Sequence, residues 1–200
     1  MKDTKYKLYI GIDPGKGGGI AIICEEESWS QAYKFPKELE DLAPMIGTSM
    51  GSYSTDEICV MIEHVHSFPT DGRPAAFSFG RNLGHWEGVL STFELDKTTV
   101  SPRTWQEHYD IPIMPDKYER KRWLKEVAQE LFPNIKVTLA LSDALLIANY
   151  AKELQYYKKG KESNGKSNRN GKSTRQPKKG VKPSVKKSKT TRAPVSANRK

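Results

Sequence analysis

The sequence predicts an α/β fold: a mixed sheet whose first three strands run antiparallel, with helices on both faces. Three observations lead there. Residues 7–35 hold three strand-like runs joined by two tight connections. The run EICVMIEHV at 57–65 is almost continuously apolar, as suits a strand covered on both faces. From there on, segments of helical apolar spacing alternate with strands, giving the order β-β-β-α-β-α-β-α-α.

The first strand is predicted over 7–13, the second over 19–24 and the third over 29–35, separated by glycines and by the charged turn EEES. A helix around 37–47 follows, weakened by Pro44 inside it. After the strand at 57–65 and the stretch HSFPTDGRP, a helix is predicted from Pro74 to about Phe93. On it Gly80, Gly84 and Gly88 recur every four residues and form one smooth stripe. Glycine lowers helix stability. The usual return is close approach of another backbone, either in a dimer or against the protein's own sheet. His85 and Trp86 on the same helix are expected to pack or cap.

KTTVSP is a short strand ended by Pro102, and WQEHYDIPIMPDK reads as a loop that carries His108. Trp123, Leu124, Val127, Ala128 and Leu131 mark a helix over 117–132. Ser142, an N-cap residue type, opens the last helix, which runs through DALLIANYAKEL to about Tyr156.

Charge divides the chain in two. Of 200 residues, 151–200 hold 17 Lys or Arg against 2 acids, a formal +15, and 1–150 hold 16 against 22, a formal −6. From Lys158 onward there is no aromatic residue and the only β-branched aliphatics are Val181, Val185 and Val195. Such a segment cannot bury enough surface to offset its ordering entropy. Residues 1–157 are therefore expected to form one folded domain, and 158–200 a disordered basic tail that contacts polyanions. Cys24 and Cys59 lie in apolar runs, as buried reduced thiols do. MKDTKYKLYI has no secretory apolar core, and no apolar run nears the roughly 18 residues that cross a bilayer. A soluble intracellular protein is expected, with no membrane partner and no small-molecule cofactor.

Three carboxylates sit where their surroundings are apolar. Asp13 ends the first strand, Glu63 interrupts ICVMIEHV, and Asp143 follows Ser142 at a helix start. Each has an innocent explanation alone: a DPG turn, a strand end leaning into solvent, and an acid at the positive end of a helix dipole. Together they say more. If the first and fourth strands are parallel neighbours, Asp13 and Glu63 reach the same sheet edge, and Asp143 completes the group from the side. Three converging carboxylates repel one another unless a cation joins them, and Mg²⁺ or Mn²⁺ suits an all-oxygen set. The glycines after Asp13 are then expected to admit a phosphate backbone without side-chain obstruction.

GIDPGKGGGIAI, IEHVHSFPTDGRPAAFSFGRNLGHWEGVL, VSPRTWQ, KRWLKEVAQELFP and SDALLIANYA stand in the order and rough spacing of RuvC-like Holliday junction resolvases, and resemble their phage or viral branch over about residues 7–152. The resemblance implies an RNase H-like fold and a homodimer. It also implies two-metal phosphodiester hydrolysis of four-way DNA that leaves 5′-phosphate and 3′-hydroxyl ends. By motif it makes Asp13, Glu63 and Asp143 the catalytic metal ligands, with two Mg²⁺ per site. It matches Lys121, twelve residues before the proline of LFP, to a lysine that assists at the scissile phosphate. His66 and Phe68 fall where the family often touches bases near the junction. Arg81, Arg103 and Trp105 occupy motif positions that serve either DNA contact or packing. With Lys16, Lys117 and Lys121, the residues His66, Phe68, Arg81 and Arg103 make up the candidate DNA contacts.

One departure stands out. The family usually carries an acid or histidine three or four residues before the helix aspartate, and here those residues are Ala140 and Leu139. Either another group supplies the last ligand, or water and substrate phosphate fill the gap. The alternatives are thus a nuclease for other branched DNA, such as flaps or forks, and a junction-binding protein that does not cut. A phosphotransferase of the actin or sugar-kinase type opens with a similar strand, but needs two similar domains and far more chain.

Overall fold

The computed structural model describes residues 6–66, 72–112 and 114–164. Among them five strands form one sheet: β1 (Leu8–Asp13), β2 (Gly19–Cys24), β3 (Trp29–Lys34), β4 (Ile58–Glu63) and β5 (Lys97–Val100), in the spatial order β3-β2-β1-β4-β5. The two tight connections give antiparallel pairs, with Asp13 opposite Gly19 and Gly19 opposite Lys34. β1 lies parallel to β4, Ile12 opposite Ile62, and β4 lies parallel to β5. Parallel neighbours need long crossovers. Those are supplied by α1 (Leu42–Met50) before β4 and α2 (Arg73–Thr92) before β5. Three helices follow: α3 (Pro102–His108), α4 (Lys117–Leu131) and α5 (Ser142–Asn164).

The pleat separates two cores. Tyr9, Ala21, Ile23 and Met61 face α3, α4 and α5, meeting Trp105, Leu124, Val127, Ala128 and the stretch Ala144–Ala148. Leu8, Ile10, Ile12, Ile20, Ile22, Val60 and Ile62 face α1 and α2, meeting Leu42, Ile46, Trp86 and Leu90. Every residue of β1 and β2 is buried, as strands covered on both sides require. One glycine sets how closely α5 lies on the sheet. A Cβ at Gly11 would fall 2.3 Å from the Ala148 amide nitrogen and 2.4 Å from the Ala144 carbonyl oxygen. The α5 backbone therefore rests directly on β1.

Several sequence expectations change in detail. α1 starts at Leu42, after one 3₁₀ turn at Leu39–Asp41, so Pro44 falls in a first turn where its missing N–H has no helical partner to lose. The segment read as a loop after Pro102 begins with a helix instead. The Ser101 side chain accepts a hydrogen bond from the Thr104 amide, and Pro102 takes the first helical position, so one residue ends β5's extension and starts α3. α5 continues to Asn164, past the end expected near Tyr156; residues 165–200 of the basic tail lie outside the described residues. Gly80, Gly84 and Gly88 do not pack on the sheet. All three are exposed, and a Cβ at any of them would meet nothing within 4 Å. α2 packs instead through Asn82, Trp86, Val89 and Leu90. Trp86 and His85 both pack on Phe35, the first edge to face at 5.7 Å and the second stacked at 6.4 Å. Cys24 is buried, Cys59 half-buried, and both are free thiols. Among the described residues no helix is long and apolar enough to cross a membrane.

Candidate functional site

Asp13 and Glu63 are the last residues of β1 and β4. The register that sets Ile12 beside Ile62 carries on to place them side by side at one end of the sheet, on strands about 4.8 Å apart. Alternation along β1 and β4 turns both toward the face covered by α5, the face of Tyr9 and Met61. Asp143 lies in the first turn of α5, one residue before the Ala144 that touches Gly11. The close seating of α5 thus brings the third acid to the same edge.

Each carboxylate is held by a different neighbour. Asp13 Oδ1 accepts from the Gly15 amide at 3.0 Å. Glu63 Oε1 accepts from the Trp105 indole nitrogen at 2.9 Å. Asp143 accepts from the Ser142 hydroxyl at 3.0 Å on Oδ1 and from the Lys121 ammonium at 3.4 Å on Oδ2. Asp13 and Asp143 are 8% and 7% exposed, so their charges are poorly hydrated. Burial, then the charge of Asp143, pushes the Asp13 carboxyl up, against the pull of the Gly15 amide and Lys121. Burial, then the charge of Asp13, pushes Glu63 up to about 7, with Asp143 adding and the Trp105 and Lys121 contacts opposing. Three acids and one lysine therefore share one electrostatic site.

Two supporting residues escaped the sequence reading. Trp105 is fully buried, which its bulk alone explains, yet its single polar atom fixes Glu63. The motif VSPRTWQ marked the position without separating packing from function. Ser142 is more than a helix start, because its hydroxyl bonds the neighbouring carboxylate. His108, read as a loop residue, ends α3 and lies 2.6 Å from Glu153 of α5. Beside it the Tyr109 hydroxyl donates to the Leu146 carbonyl at 2.7 Å. α3 thereby ties the end of β4 to α5.

The turn glycines also serve differently from expectation. A Cβ at Gly18 would lie 2.3 Å from the Asp13 carbonyl oxygen and 2.5 Å from its Cγ, and one at Gly19 would lie 2.2 Å from the Tyr33 carbonyl oxygen. These two let the chain fold over Asp13 and against β3. Gly17, with nothing within 4 Å of its would-be Cβ, leaves open space beside the site.

The remaining candidates lie on several elements. Lys16 is exposed at the tip of the β1–β2 turn, and His66 is exposed just beyond β4, its ring 5.7 Å from that of His64. Lys117 is exposed at the start of α4, with its ammonium over the Tyr118 ring at 5.2 Å. Arg103 is exposed and paired with Glu107 at 2.7 Å. Arg81 is exposed on α2, across the sheet from α5. Phe68 lies outside the described residues.

Among the described residues, no group of three or more His, Cys, Asp or Glu side chains forms a ready metal cage. The fit to a cation rests on the chemistry of the donors. Asp13, Glu63 and Asp143 are hard oxygen donors, the charges around Asp13 and Glu63 raise the cost of ionising those two, and a divalent ion relieves that cost. Lys121 already holds a positive charge against Asp143. Among the described residues no fourth acid adds to the field at Asp13 or Glu63, and Leu139 and Ala140 carry no carboxylate.

A mixed sheet of order 3-2-1-4-5 with helices on both faces defines the RNase H-like class of α/β folds. No family model matches this chain, and no curated protein matches it in sequence. Solved structures match in shape, two RuvC structures among them. One is Thermus thermophilus RuvC in complex with a Holliday junction substrate, at a TM-score of 0.51 and 15% identity, covering 76% of this chain and 96% of that one. The other is a structure of Thermus thermophilus RuvC, also at a TM-score of 0.51, with 16% identity and the same coverage. The fold of this chain is RuvC-like.

Proposed function

We propose that the protein is a divalent-metal-dependent endonuclease that cuts four-way DNA junctions as a homodimer. The observation that carries this reading is the joint placement of Asp13, Glu63 and Asp143 at one sheet edge, with Lys121 beside Asp143. The RuvC-like fold supports it. Asp13, Glu63 and Asp143 would hold Mg²⁺ or Mn²⁺, two ions per site. Bound there, such ions supply an acidified water as nucleophile and neutralise the leaving 3′ oxygen, which gives 5′-phosphate and 3′-hydroxyl ends.

The chain's own residues prepare that chemistry. Trp105 and Ser142 orient Glu63 and Asp143, and Lys121 adds positive charge where a scissile phosphate meets Asp143. Gly17 leaves a gap in the turn through which a phosphate backbone reaches Asp13. The exposed stripe of Gly80, Gly84 and Gly88, in line with Phe77 at 73% exposure, supports helix-to-helix contact between two copies. Two copies would cut two opposed strands.

A second reading, favoured by Leu139 and Ala140 in place of a fourth ligand, is a junction-binding protein that does not cut. One comparison separates the two. Wild type and Asp13→Asn are incubated with four-way junction, flap and linear duplex, in Mg²⁺, Mn²⁺ or EDTA. The expected result is metal-dependent nicking of the junction by wild type, lost in Asp13→Asn while binding persists. Binding without nicks under every condition supports the second reading, and preferred cutting of flaps moves the substrate to other branched DNA.

A further inference from the structure

α4 separates its charges by side. At 3.6 residues per turn, Arg120, Lys117, Lys121, Lys125, Tyr118 and Arg122 span about 200° of arc. Glu119, Glu126 and Glu130 occupy a band about 140–180° round from Lys121. The apolar side of Leu124, Val127 and Ala128 takes the core. A helix that needs only to be wetted mixes the two signs. Here the basic flank is the one that starts at the carboxylate edge, since Lys121 lies 3.4 Å from Asp143. Among the described residues no ion pair to an acid is made by Lys117, Arg122 or Lys125.

In the middle of this flank stands Tyr118, 67% exposed and three residues from Lys121. Lys117 covers its ring from one side at 5.2 Å. No packing explains a ring so far out of the core. Cations that follow a helix line beside an open aromatic ring are the ingredients of single-strand recognition: charge for the backbone, a flat face for a base.

We infer that this flank of α4 is a track for a DNA strand leaving the carboxylate edge, with Lys125 and Arg122 on its phosphates and Tyr118 as the platform on which an unpaired base stacks. The track rests on the proposed function, and it adds a reason for preferring branched DNA. A duplex keeps its bases stacked inside, whereas a branch point offers one to the ring. Lys121 and Lys125 are about 6 Å apart along the axis, so the strand runs along the helix and not across it.

The test uses the full-length chain in EDTA, so that binding is read without cutting. Its probes are a four-way junction carrying 2-aminopurine at the branch and a linear duplex with the same arms. Tyr118→Ala is expected to weaken junction binding about tenfold and to lose the fluorescence change, while Tyr118→Phe keeps both. Neither variant changes duplex affinity. Arg122→Gln with Lys125→Gln is expected to flatten the slope of log K against log salt by about 1.4–1.8. Circular dichroism melts establish that the variants fold. A Tyr118→Ala protein that binds the junction as Tyr118→Phe does overturns the stacking platform, and an unchanged salt slope overturns the phosphate contacts. A wild type that binds no DNA ends the proposed function as well; a wild type that binds the junction beside variants indistinguishable from it ends the track alone.

Discussion

At the scale of single residues, Glu63 is pushed up to about 7, chiefly by burial and then by Asp13. Its ordinary value is 4.5, so between about pH 4.5 and pH 7 the native state holds a proton that the unfolded chain has released. Stability therefore falls as pH rises through that window, and the raised carboxyl of Asp13 acts in the same direction. In EDTA the melting temperature should drop from pH 5 to pH 8. Glu63→Gln should remove most of that drop, which corresponds to about 2–3 kcal/mol for one group. A variant with the wild-type pH slope would show that the field is carried elsewhere. Mg²⁺ should raise the melting temperature far more at pH 8 than at pH 5, where protons compete for the same oxygens. Trp105 governs where this carboxylate points. Trp105→Phe keeps a ring in the core but removes the donor to Glu63, so cleavage should slow by about 10–100-fold with a higher Mg²⁺ requirement, while junction binding in EDTA stays. Unchanged metal dependence would reduce Trp105 to packing. The three acids were legible in the sequence because charge inside apolar runs demands a reason. The indole contact was not, because a buried tryptophan already has one.

At the scale of elements, the site depends on how deeply α5 sits on β1. Gly11 leaves no room for a Cβ between the strand and the backbone of Ala144 and Ala148. Gly11→Ala must lift the helix and carry Asp143 away from Asp13. The expected result is a loss of about 1–3 kcal/mol in urea unfolding together with a fall in cleavage larger than that of binding. Equal stability and activity would mean that α5 can slide without disturbing the acids. The antiparallel pairing of the first three strands was legible because glycines and short turns leave few alternatives, whereas the β1–β4 pairing stood only as a condition for Asp13 and Glu63 to meet and is supplied by the structure. α3 was hidden because WQEHYD has no apolar periodicity; it is made by Ser101 and Pro102 at its start and held by Trp105 and Tyr109. The end of α5 was misjudged for a different reason. Low hydrophobicity argues that a segment cannot build a core, but lysine, glutamate and glutamine are good helix formers, and a helix already anchored by Ala144–Ala151 continues through them to Asn164.

At the scale of the whole molecule, the net positive charge and the proposed site of junction selectivity lie in different parts of the chain. Residues 165–200 hold 13 Lys or Arg and no acid, while residues 1–150 carry a formal −6. A run of cations releases counterions from any polyanion and cannot tell a junction from a duplex. On the proposed function, discrimination falls to the fold, with its carboxylate edge, the flank of α4 and the exposed stripe of α2. Removing residues 165–200 should therefore weaken binding to junction and duplex by similar factors and flatten the salt dependence of both. The ratio of the two affinities should hold, and metal-dependent cutting at saturating protein should persist. Competition binding at two salt concentrations measures each quantity. A truncated protein whose junction-to-duplex ratio collapses toward one would place recognition in the tail, and the folded part would then be a cutting module guided from outside itself.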